Sequence, residues 1–356
     1  MEYIREYAKV EKRLQMLLQN ELMDRCCVAV TAPKDPLHPY RGENPGTESW
    51  YMDGEWILKR NLERMEKTYY AGDALPGIFP NFGTGGHAKY FSDDISMIYT
   101  PETIWFEPYL ESCADLRPAD LEHSKLLKRE LDVLQYLCDE SRDRYYVNMP
   151  DNCGSYDALA QLRGSEDLLM DFYDEPEAVQ YAAGLVVDCL RDSTRKIYDV
   201  VRENNHGGST HSWMNLYSPG CVMQLQCDMS VMLSTDIYER FIMKELRDSL
   251  DFLDHAAYQV DGQEQIRHLD LLLSLDKLNM LQWTQVASQP PVTAFIPQLK
   301  KIQAAGKGLV LIVTPDQIKP LMENISSKGV IFVVNGAKSP EEADDIVAYV
   351  AKHTHE

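Results

Sequence analysis

A chain of 356 residues, 44% hydrophobic and 26% charged, has enough apolar mass for a sizeable core. Its formal net charge of −21, with no Lys/Arg block to offset it, repels polyanions and excludes nucleic acid as an expected partner. No run of 18 apolar residues occurs and the first residues lack a signal-peptide pattern, so neither a membrane span nor secretion is expected.

The eight cysteines, Cys26, Cys27, Cys113, Cys138, Cys153, Cys189, Cys221 and Cys227, form no CxxC pair and read as reduced thiols of a cytoplasmic protein. In chain order, residues 2–24 carry Ile4, Tyr7, Leu14, Leu17, Leu18 and Leu22 at helical spacing and predict an N-terminal helix. Short apolar runs then follow at Cys26–Thr31, Leu75–Asn81, Tyr145–Met149, Met223–Asp228, Ala256–Asp261, Met280–Trp283, Leu309–Val313 and Val330–Val334. Amphipathic segments at 122–140, 175–204, 235–254 and 338–353 lie between or after them. The last opens on Ser339-Pro340-Glu341-Glu342, a Ser cap, a Pro at N1 and acids in the first turn. Residues 33–73, rich in Pro, Gly, Asp and Trp, predict a long first βα connection roofing one end of the fold. Eight strand–helix units without a linker predict one domain over 1–356, an α/β TIM (β/α)8 barrel, with an open doubly wound sheet as the alternative.

Several of these runs end in polar residues. Residues two apart on a strand share a face, so Gln226 goes with Asp228 and Gln259 with Asp261. If that face is the barrel interior, two carboxylates meet there, and one acquires a raised pKa suited to acid–base work; a hard, oxygen-ligated metal is the other use of such a pair. The competing account turns a pair toward the helices or makes it a loop cap. Gln282 and Trp283 end the next run. His211 and Trp213 sit beside a strand and are candidates for the pocket. Asn81 and Asp151 follow the second and third strands, either touching substrate or capping their loops through Asx turns.

The stretch from Tyr145 to Trp283 resembles the methyltransferase-like branch of the uroporphyrinogen decarboxylase superfamily. The residues that carry the resemblance are Met149-Pro150-Asp151, Asp157-Ala158-Leu159, the segment Leu162–Leu169, Gln226-Cys227-Asp228-Met229-Ser230, Gln259-Val260-Asp261-Gly262, His268-Leu269-Asp270 and Gln282-Trp283. It implies a TIM barrel and one of two activities. For uroporphyrinogen decarboxylation, the N-terminal Arg-Gln-Ala-Gly-Arg segment is absent, and an octa-anionic substrate suits a −21 chain poorly. For the zinc methyltransferases, the His-x-Cys position holds Gln259-Val260-Asp261 and no cysteine follows Cys227, so a zinc site of the family type is not expected.

What the resemblance leaves is an enzyme moving a methyl group from a small methylated compound, with a corrinoid protein as carrier partner; a homodimer is also compatible. Asp261, Asp228 and Gln259 are its candidate catalytic residues. Gln226, Gln282, Trp283, Asn81, Asp151, His211 and Trp213 are the candidate substrate contacts. The alternatives are a cofactor-free carboxy-lyase and a non-catalytic ligand-binding barrel.

Overall fold

The computed structural model describes residues 1–4 and 6–356. Its strands are β1 (Cys27–Pro33), β2 (Thr68–Gly72), β3 (Gly77–Ile78), β4 (Ile98–Tyr99), β5 (Ile104–Trp105), β6 (Tyr146–Val147), β7 (Ser209–His211), β8 (Leu216–Ser218), β9 (Val222–Leu225), β10 (His255–Val260), β11 (Met280–Trp283), β12 (Gly308–Val313) and β13 (Val330–Val334). All eight apolar runs read from the sequence contain a strand. The N-terminal helix is shorter than expected, Tyr7–Leu18, and the segments at 122–140, 175–204 and 338–353 become the helices Lys125–Ser141, Pro176–Val201 and Pro340–His353. Ser339 caps the last of these through the Glu342 N–H, as its motif predicts.

A seven-stranded sheet runs in the order β2-β1-β13-β12-β11-β10-β9. Its members from β1 to β9 are parallel, and β2 pairs antiparallel with β1. This α/β fold with a central mixed sheet differs from the expected closed ring of eight parallel strands in two places. Residues 33–73 are not a plain connection: they hold the helices Glu48–Met52 and Gly54–Lys67, and β2. The runs at 75–81 and 145–149 yield only the two-residue strands β3 and β6, paired with each other in a separate ladder.

The physical cause is local. Pro76, Pro80 and Pro150 flank these strands and lack the N–H that a longer ladder needs. Beside β6, the Asn205 side chain accepts from the Val147 N–H (3.1 Å) and donates to its carbonyl (2.8 Å), standing where a neighbouring strand would bond. Backbone contact nevertheless continues from β6 to β7 through the Met149 N–H and the Thr210 carbonyl (3.0 Å).

Strand parity sorts the core. Val28, Val30, Tyr258, Val260, Leu281, Trp283, Leu309, Leu311 and Phe332 lie on the face covered by the outer helices, together with Leu246, Leu299, Ile318 and Ile346. Cys27, Ala29, Val222, Ala257, Met280, Val310 and Ile331 lie on the opposite, inner face, where Leu14 and Leu17 of the N-terminal helix close one end. The inner residues are apolar toward the starts of the strands. Toward the C-terminal ends they become Gln224, Gln259 and Gln282, and that change positions the site.

Candidate active site

A cavity of about 610 Å³ opens where β6, β9 and β10 end. Asp151, Asp157, Gln226, Asp228, Gln259 and Trp213 line it, and Trp105 and Met232 flank it. Five of the ten expected residues therefore meet: Asp151, Trp213, Gln226, Asp228 and Gln259.

A chain of side-chain hydrogen bonds runs behind this wall. The amide nitrogen of Gln224 donates to Gln259 Oε1 (2.7 Å) and to Gln226 Oε1, and Gln226 Nε2 donates to Asp228 Oδ2 (3.1 Å). His211 Nε2 meets Gln224 Oε1 at 3.0 Å. An amide oxygen only accepts, so His211 carries its proton on Nε2, and Nδ1 is a bare, buried acceptor without a partner. Burial pushes the His211 pKa down to about 4, so the ring is neutral at pH 7. Gln224 was not among the expected residues, although the same alternation that joined Gln226 to Asp228 extends back to it.

Asp157 and Asp228 form the electrostatic centre. Asp157, on the helix Ser155–Arg163, accepts from the backbone N–H groups of Asp228 (2.9 Å) and Met229 (3.0 Å) and so caps the turn Asp228–Met232. Gly154 lets the two segments approach this closely, since a Cβ there would lie 2.1 Å from the Gln226 carbonyl oxygen. Asp228 is exposed, but to the cavity. The surrounding walls remove water from its carboxyl, and the charges of Asp157, Asp261 and Asp151 oppose ionisation, so its pKa is raised. Burial raises Asp157 as well, against the lowering effect of its backbone donors. The negative charge of each opposes ionisation of the other. The two N–H bonds favour charge on Asp157, leaving the proton on Asp228, whose second oxygen has no protein partner.

The remaining expected residues lie elsewhere. Asp261 sits half-buried just past β10, outside the cavity wall, and makes no hydrogen bond to Asp228; its raised pKa comes from burial and the Glu264 charge. Gln282 is fully buried on the inner face next to Gln259, accepting from the Thr284 hydroxyl (3.0 Å), with Nε2 unpartnered. Trp283 is not a pocket wall. Its odd register against Gln282 turns it to the helix side, where it packs on Phe295 with ring centroids 4.9 Å apart. Asn81 caps its own loop by accepting from the Gly83 N–H (3.0 Å) and lines neither of the two cavities beside Trp213. His211 lines the second of these.

The donor set does not suit a thiolate-bound zinc. Burial raises the pKa of all eight thiols. Among the described residues no three His, Cys, Asp or Glu side chains come together in a way that could hold a metal ion, and no helix is long and apolar enough to cross a membrane.

No family model matches the chain, and no curated protein matches it in sequence. Among solved structures it is similar to a methyltransferase from Methanosarcina mazei, with a TM-score of 0.63 at 10% identity over 96% of this chain and 98% of that one. That likeness is one of fold.

Proposed function

We propose that this protein is a methyltransferase that removes a methyl group from a small methylated compound bound in the Asp228 cavity. The observation that carries the reading is Asp228 itself: a carboxyl with a raised pKa, open to the cavity and held on one oxygen by Gln226. As the bond between the methyl carbon and its heteroatom breaks, Asp228 gives its proton to the departing heteroatom. The Gln226 amide then stabilises the carboxylate left behind, and Trp213 and Trp105 wall the substrate. The shared fold with a methyltransferase supports the reaction class. The methyl acceptor is read from the family resemblance as a corrinoid on a partner protein. In the same reading the mixed sheet, with β3, β6 and β7 beside it, is a TIM barrel whose ladder is interrupted on one side.

The test supplies cob(I)alamin as acceptor and a panel of methylamines, aryl methyl ethers and methyl thioethers, with the demethylated product read by mass spectrometry. The wild-type protein should demethylate one class, and Asp228→Asn should slow it by about 10²–10⁴-fold, the usual contribution of a positioned general acid. An inactive wild type, or an unimpaired Asp228→Asn, rejects the reading. Release of CO2 from a carboxylate without any acceptor would instead assign a carboxy-lyase.

A further inference from the structure

Trp213 also lines a second cavity of about 420 Å³, formed by the inner ends of β1, β12 and β13, by β3 and β7, and by the helix Gly54–Lys67. Its charge is opposite to that of the first. No Asp or Glu lines it, whereas Arg60 and Arg64 both do. These arginines lie four apart on one helix, so their like charges share a face and repel. The same helix pairs its exposed Lys67 with Glu63 at 2.8 Å, yet neither arginine has a carboxylate partner among the described residues. Arg60 stacks on Trp50, 3.9 Å from the ring centroid, and donates to the Trp50 carbonyl. Arg64 donates to the Gly77 carbonyl (2.6 Å) and the Asn61 side chain.

In a chain with 56 acids against 35 bases, two half-buried guanidiniums are held by neutral groups alone, with no acid to balance their charge. Burial lowers the Arg60 pKa to about 10; Tyr40 and Tyr51 oppose the shift and Arg64 adds to it. The buried Tyr70 hydroxyl lies at the same wall, beside Arg64 and Thr68.

We propose that this cavity is a binding site for a small oxyanion, the carboxylate or phosphoryl group of a small molecule, clamped by Arg60 and Arg64 with the Tyr70 hydroxyl as an additional donor. Guanidiniums suit such a ligand because their planar forks match two oxygens at once. The overall negative charge discourages stray anions, so occupancy depends on this local pair. The site stands independently of the catalytic role given to Asp228, since binding alone reads it.

Isothermal titration of the full chain with malonate, and separately with inorganic phosphate, at constant ionic strength held by NaCl, tests the site. One saturable site per chain is expected. Arg60→Gln and Arg64→Gln should each weaken it roughly tenfold or more, as expected for loss of hydrogen bonds to a charged group. Tyr70→Phe should weaken it less, and Lys244→Gln, at an exposed cation elsewhere, should not change it. Tighter malonate assigns a carboxylate, and tighter phosphate a phosphoryl group. Thermal unfolding of each variant without anion checks its fold, and Arg64→Lys, which keeps the charge but not the fork, provides a milder second variant expected to weaken binding. Absence of saturable binding by both probes, or binding unchanged in the folded arginine variants, overturns the proposal.

Discussion

A carboxyl placed among three others cannot titrate as it does in water, and the consequence is readable in the rate. In the proposed function Asp228 is an acid only while protonated, so kcat/KM should fall as pH rises through its raised pKa. Asp157→Asn removes a negative charge that opposes ionisation of Asp228, so the alkaline limb should move to lower pH while the amide oxygen still accepts one backbone N–H. A pH profile of the variant checks this, and a limb that stays in place would detach Asp157 from the titration. Asp261, at the rim, touches nothing in the cavity. Its contribution to Asp228 is through charge, and the proposed function places the acid chemistry on Asp228.

At the scale of elements, the two ends of the sheet serve different purposes. The C-terminal ends supply the glutamines and aspartates of the cavity. At the opposite end, the N-terminal helix is tied to the sheet by Asp73, which is fully buried, pairs with Arg13, and takes two bonds from Arg25 at 2.7 and 3.1 Å. It also accepts from the Val28 N–H at 2.9 Å, fixing the start of β1. Removing one partner from such a network leaves the others buried and unpaired. Asp73→Ala should therefore destabilise the protein by about 3–5 kcal/mol, measured by urea unfolding, where the protein folds at all. A loss below about 1 kcal/mol, the range of an exposed pair, would show that the clamp is solvated. Anion binding by Arg60 and Arg64 is expected to survive a milder change there, because a different helix carries them.

For the whole molecule, several buried acids set how stability varies with pH. Glu245 is buried beneath the outer helices with one oxygen unpartnered, and burial, with Asp157 adding to it, pushes its pKa up to about 8. Asp157 and Asp228 are raised too. Buried His87 and His211, lowered to about 4, act the opposite way up to the ordinary histidine range near pH 6.5, so it is between there and about pH 8 that these acids leave the folded protein with more protons than the unfolded chain and stability should fall as pH rises. Glu245→Gln should flatten the decline in a melting-temperature series from pH 5 to 9. An equally steep slope would place the cause elsewhere.

Hydrophobic periodicity was sufficient for all eight sheet-forming runs and three of the long helices, because burial of an alternating or helical face is written in the order of residues. The capped start at Ser339 was legible for the same local reason. Parity on β9 and β10 grouped Gln226 with Asp228 and Gln259 with Asp261, and applied one step further it would have found Gln224 and turned Trp283 away from the site. Other features depended on distant partners. Asn205 completes the β6 backbone bonds from 58 residues away, β2 returns antiparallel to β1, and Asn81 closes its own loop instead of reaching a ligand. The pairing of Asp157 with Asp228 spans 71 residues, and the lack of a carboxylate partner for Arg60 and Arg64 among the described residues is a property of the assembled walls. Local order of side chains fixes which face is buried; which charges then confront one another across a cavity is decided only when the chain has closed around it.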